Sequence, residues 1–63
     1  MKVKIKSFNC ELPNYLTEGK EYIVDSLSKT GCMFWAFSDD GKLDCFLFNE
    51  CEHLSSGSWE IVE

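Results

Sequence analysis

The chain reads as all-β, a small antiparallel barrel of five strands. Three features lead there. Lys2-Val3-Lys4-Ile5-Lys6 alternates strictly between charge and hydrocarbon, the two-residue period of a half-buried strand. Asp40-Gly41 separates two runs dense in aromatic and β-favouring residues. That marks a hairpin, because glycine takes positive φ without strain and aspartate tolerates it. No stretch of about 11 residues or more sustains apolar positions at i, i+3, i+4 and i+7, so an amphipathic helix has no support.

The first strand, residues 2–6, puts Val3 and Ile5 on one side and three lysines on the other. At a sheet edge those lysines would discourage pairing with another chain. Residues 9–17 hold Pro13 and Asn14 and are irregular. Thr17-Glu18-Gly19-Lys20 turns the chain into a second strand, residues 20–26, with Tyr22 and Val24 sharing a face. Residues 27–31 form a polar connector. The third strand, residues 32–38, carries Phe34, Trp35 and Phe37, and the fourth, residues 43–48, returns antiparallel after the Asp-Gly turn. Residues 49–58 are short enough for a loop or one helical turn around Glu50 to Leu54, and residues 59–62 close the chain as a fifth strand. The expected inner core is Val3, Ile5, Tyr22, Val24, Leu43, Leu47 and Ile61 with some of the hairpin aromatics.

Sixty-three residues make one domain, 1–63, with a thin core, since a chain of this size buries only about 60% of the surface its unfolded form exposes. With 44% apolar and 14% aromatic residues it is too hydrophobic for a disordered tail. No apolar run nears the roughly 18 residues of a membrane span, and no signal-peptide pattern opens the chain. Six lysines and no arginine against eleven acids give a net charge of −5. That argues against a binder of phosphate backbones, which needs clustered positive charge.

Cys10, Cys32, Cys45 and Cys51 lack the Cys-x-x-Cys spacing of redox and zinc motifs. The starting Met and early lysines suggest a cytoplasmic chain whose thiols stay reduced. Cys45, Cys51 and His53 are the nearest approach to a metal set, but a fourth ligand and a tight ligand turn are missing. The same residues are the nearest approach to a nucleophile and base, without an orienting third group. Neither a metal, a cofactor nor an enzymatic activity is expected.

Leu16-Thr17-Glu18-Gly19-Lys20-Glu21-Tyr22-Ile23-Val24 resembles the L-T-x-G-K-x-Y-x-V opening of many small uncharacterised phage and prophage proteins. There a later strand enters an Asp-Asp-Gly hairpin, matched by Phe37-Ser38-Asp39-Asp40-Gly41, and a terminal strand follows, matched by Trp59-Glu60-Ile61-Val62. The resemblance spans residues 16–62 and implies an SH3-like barrel in the host cytoplasm. The fourth strand departs from the pattern. It ends in Cys45-Phe46-Leu47-Phe48 rather than in a polar or proline-bearing segment.

The feature that points to function is a surplus of large apolar side chains on the central hairpin. Met33, Trp35 and Phe37 share one face of the third strand, opposite to Phe34 and Ala36. Phe46 and Phe48 share one face of the fourth, opposite to Leu43, Cys45 and Leu47. A small barrel has one inner face, so one set lies outward, covered by loops or offered to a partner. The expected contact face is Met33, Trp35, Phe46 and Phe48, on a protein-binding accessory module that modulates a host protein. Two alternatives stand beside it. One is a self-associating structural module. The other is a small barrel stacking single-stranded bases, against which Asp39, Asp40 and Asp44 outweigh Lys29 and Lys42. The bland reading is that the aromatics only complete the core.

Overall fold

A computed structural model describes all 63 residues, and the alternating N-terminal run forms the first strand, β1 (Lys2–Ser7). The chain continues through β2 (Tyr22–Leu27), β3 (Met33–Phe37), β4 (Leu43–Leu47), a 3-10 turn (Glu52–Leu54) and β5 (Ser58–Ile61). All pairings are antiparallel, in the order β4-β3-β2-β1-β5. The fold is all-β with one helical turn before the last strand, as the sequence leads one to expect. The sheet curls until its two ends meet at a single hydrogen bond, where the Trp59 N–H donates to the Phe48 carbonyl just past β4 at 2.8 Å. No continuous ladder closes the gap between β4 and β5.

β1 lies inside the sheet, between β2 and β5, so its lysines guard no edge. Val3 and Ile5 point into the core, and Lys2 and Lys4 reach Glu21, Glu63 and Glu60 at 3.6–3.9 Å. Such exposed pairs contribute at most about 1 kcal/mol each. In β2, the register shifts between Val24, opposite Ala36, and Ser26, opposite Trp35. This irregularity at Asp25 ends the alternation begun by Tyr22 and Val24.

The hairpin register decides which aromatic residues go inside. The Ser38 N–H bonds to the Lys42 carbonyl and the Gly41 N–H to the Ser38 carbonyl, with Gly41 at φ +80°. The connecting loop is therefore three residues, Asp39-Asp40-Gly41, a turn followed by a left-handed glycine. It pairs Trp35 with Cys45, Phe34 with Phe46, Met33 with Leu47 and Phe37 with Leu43. A two-residue Asp40-Gly41 loop would set Trp35 opposite Phe46 and Met33 opposite Phe48. One residue more in the loop turns all of β4 over.

The core follows from that register. It comprises Val3, Ile5, Leu16, Tyr22, Phe34, Ala36, Phe46, Cys51, Leu54 and Trp59, with Val24, Phe48, Phe8, Leu12 and Tyr15 packed around it. Trp59 lies edge-on to Phe34 and Tyr22 and tilted on Phe46, with centroids 5.1–5.7 Å away. Such aromatic pairs add about 0.5–1.5 kcal/mol each beyond simple burial. Three expected core residues are outside instead. Leu43 and Leu47 belong to the outward face of β4, at 49% and 37% exposure, and Ile61, the last residue of β5 and still paired with Val3, is 58% exposed. Leu16, Cys51 and Leu54 replace them from segments outside the strands.

Gly57 is where the last loop crosses the end of β1. A Cβ there would lie 2.1 Å from the Ser7 carbonyl oxygen and 2.8 Å from the Phe8 Cα. Backbone cannot give way as a side-chain tip can. Gly57→Ala is therefore expected to destabilise the protein by about 2 kcal/mol or more, read from the urea unfolding midpoint. Gly19→Ala, which meets no atom within 4 Å but strains a backbone at φ +82°, is expected to cost about 1 kcal/mol, less than Gly57→Ala.

Candidate functional site

The outward side of the β3–β4 hairpin is a ladder of three cross-strand pairs, Met33 with Leu47, Trp35 with Cys45 and Phe37 with Leu43. Every member is apolar. Phe37, Leu43 and Leu47 are exposed, and Met33, Trp35 and Cys45 half-buried. The face predicted from sequence therefore divides. Met33 and Trp35 stand outside as expected. Phe46 is 2% exposed and stacks on Phe34, and Phe48 packs against Phe34 with centroids 4.6 Å apart. Phe46 is a core residue and Phe48 is half-buried against the core, and Phe37, Leu43, Cys45 and Leu47 take their place on the outer face.

Beside this ladder runs a groove of about 230 Å³, lined by Met33, Cys45, Leu47, Cys51, Glu52 and His53. The 3-10 turn builds its far wall. Glu50, Ser55 and Ser56, around that turn, hold left-handed backbone at φ 50–71°, a conformation that costs non-glycine residues about 1–2 kcal/mol. Hydrogen bonds hold the segment in place. Asn9 donates from its backbone to Leu54 and from its side chain to Ser55, and Cys51 and Gly57 bridge antiparallel.

His53 ties the turn to the sheet. Its Nε2 lies 3.2 Å from the Cys45 carbonyl and its Nδ1 lies 2.8 Å from the Tyr15 hydroxyl. A carbonyl only accepts, so Nε2 carries the proton, and in the neutral ring Nδ1 accepts from Tyr15. Burial, with Asp44 nearby, pushes the Tyr15 hydroxyl up, which keeps that donor protonated. Both imidazole nitrogens are thus engaged. No group of three or more His, Cys, Asp or Glu side chains is placed to hold a metal ion. All four cysteines are free thiols, and Cys51, wholly buried, accepts the Trp59 indole N–H at 3.4 Å.

β4 is an edge strand, yet the middle of its edge is capped. The Cys45 N–H bonds to Asp44 Oδ1 at 3.0 Å, and the Cys45 carbonyl accepts from His53. Side chains occupy the groups that an added strand would use.

The segment 16–24, singled out by its resemblance, converges on a different point. Asp39 accepts from the Thr17 hydroxyl at 2.6 Å, from Lys20 Nζ at 2.5 Å and from the Tyr22 hydroxyl at 3.1 Å. Its own N–H donates to the Tyr15 carbonyl, and the Thr17 N–H donates to the Tyr22 oxygen. The donors from Lys20 and Thr17 hold the Asp39 carboxyl below the usual carboxylate range. The Ser38 hydroxyl and the Lys42 N–H do the same for Asp40. These residues lock the hairpin tip to the loop before β2.

No known protein family, curated protein or solved structure matches the chain.

A carboxylate with a depressed pKa stabilises the fold above its unfolded pKa, and that stability is lost as pH falls through the folded value. Asp39→Ala is therefore expected to lower stability by about 1 kcal/mol at neutral pH, allowing for solvent screening. The difference from the native protein should shrink below about pH 4. Urea unfolding of both proteins across pH 2–7 checks this.

Proposed function

We propose that the protein is a non-enzymatic binding module whose contact surface is the outer face of the β3–β4 hairpin. The observation that carries this reading is the unbroken apolar ladder of Met33, Trp35, Phe37, Leu43, Cys45 and Leu47. A chain with so little core to spare leaves six such residues together on one surface, and contiguous apolar surface of this kind characterises interaction sites. Trp35 at the centre of the ladder is the residue type that anchors interfaces.

The capped edge of β4 favours docking of side chains on the face over addition of a strand. A nucleic-acid partner is disfavoured by charge, since Lys2, Lys4 and Lys20 are engaged by acids. Self-association would bring together two copies of charge −5, which repel each other. The resemblance of residues 16–62 to phage and prophage proteins supports the narrower reading, a cytoplasmic modulator of a host protein with an SH3-like barrel.

Trp35→Asp and Leu43→Asp are each expected to abolish capture of the partner by the tagged protein from its native cell extract. Ile61→Asp, at an exposed apolar position elsewhere, should leave capture intact. Thermal unfolding of Leu43→Asp and Ile61→Asp should stay within about 0.5 kcal/mol of the native protein, as is usual for surface substitutions. Capture that survives both hairpin substitutions contradicts the reading.

A further inference from the structure

We propose that the groove beside β4 is a pocket for one arginine or lysine side chain carried by the partner's contact segment. This rests on the outer hairpin face being the binding surface, with which the groove is continuous through Met33, Cys45 and Leu47.

Size and lining together select the occupant. At about 230 Å³ the groove falls below the roughly 300–1,000 Å³ of small-molecule sites and is on the scale of a large side chain. Met33 and Leu47, cross-strand partners, form an apolar wall. Glu52 is the carboxylate on the lining, is exposed, and belongs to none of the ion pairs of the protein. No lysine lines the groove. His53 offers no free nitrogen, since Tyr15 and the Cys45 carbonyl occupy both. The groove thus presents the apolar wall of Met33 and Leu47 and one unpaired negative charge.

A side chain with an aliphatic stem and a cationic head matches both features. A purely apolar occupant would strip water from Glu52 without replacing it. An anionic occupant would meet both Glu52 and a net charge of −5. A second copy of the chain brings lysines but the same net charge, which makes a separate, basic partner the better fit.

The test is selection of binders from a displayed library of random linear peptides, with the full-length protein as bait. Selected peptides are expected to carry arginine or lysine among apolar residues. Against the best of them, Glu52→Lys should weaken binding about tenfold and Glu52→Gln about threefold, and the affinity should fall with added salt. Trp35→Asp should abolish binding. Peptides that lose binding in Trp35→Asp but carry no basic residue, or that bind Glu52→Lys undiminished, overturn the pocket and leave the face standing. Peptides indifferent to Trp35→Asp, or a library that yields no binder, overturn the face and the pocket together.

Discussion

The structure depends on the length of one loop. Asp39-Asp40-Gly41 connects β3 to β4 with three residues, and Gly41 at φ +80° supplies the left-handed step that makes three possible. Because side chains alternate across a strand, this loop sends Phe46 inward to stack on Phe34 and sends Leu47 outward beside Met33. The aromatic core around Trp59 and the apolar ladder outside are two consequences of the same register.

The remaining polar interactions hold that hairpin where the loop puts it. At its tip, Asp39 gathers Thr17, Lys20 and Tyr22 from the segment entering β2. At its edge, His53 reaches from the 3-10 turn to the Cys45 carbonyl. At its far end, the Phe48 carbonyl takes the Trp59 N–H and draws the last strand against it. Sequence features that invite a chemical reading, the paired aspartates and the single histidine beside thiols, are here engaged in fastening one hairpin to the rest of the chain.

Much of this was legible in the residues. Alternation placed β1 within one residue, and the aromatic runs and the Asp-Gly turn placed β3 and β4. What was not legible was the phase between them. Both faces of each hairpin strand are apolar, so hydrophobic pattern does not distinguish a two-residue from a three-residue loop, and the contact face expected from sequence joins residues that lie on opposite sides. For the same reason the pattern points Leu43 and Leu47 into the core, where the register does not put them. Leu16, Cys51 and Leu54 carry no such signal, because they enter the core from irregular segments with no period to read. The groove was half legible. Cys45, Cys51 and His53 stood out as a cluster, and they do line one groove, but Glu52, an ordinary acid in an acidic segment, carried no signal before the 3-10 turn was seen.

Function in this account is a matter of what the register leaves uncovered. A protein this small has few large apolar residues to place, and the hairpin places five of them, with Cys45, outward in a continuous ladder, with a groove and a lone carboxylate at its margin. Core, ladder and groove all depend on that register, and backbone proximity measures it directly. The bonds from Ser38 to Lys42 and from Phe48 to Cys32 make Trp35 and Cys45 a pair without mutual hydrogen bonds. In such a pair the Cα atoms lie about 4.5 Å apart. A nuclear Overhauser experiment on the protein in solution should show strong Hα–Hα contacts between Trp35 and Cys45 and between Met33 and Leu47. A strong Hα–Hα contact between Ala36 and Cys45 or between Phe34 and Leu47 in their place, the close pairs of a two-residue loop, would contradict the register, the core and the binding face at once.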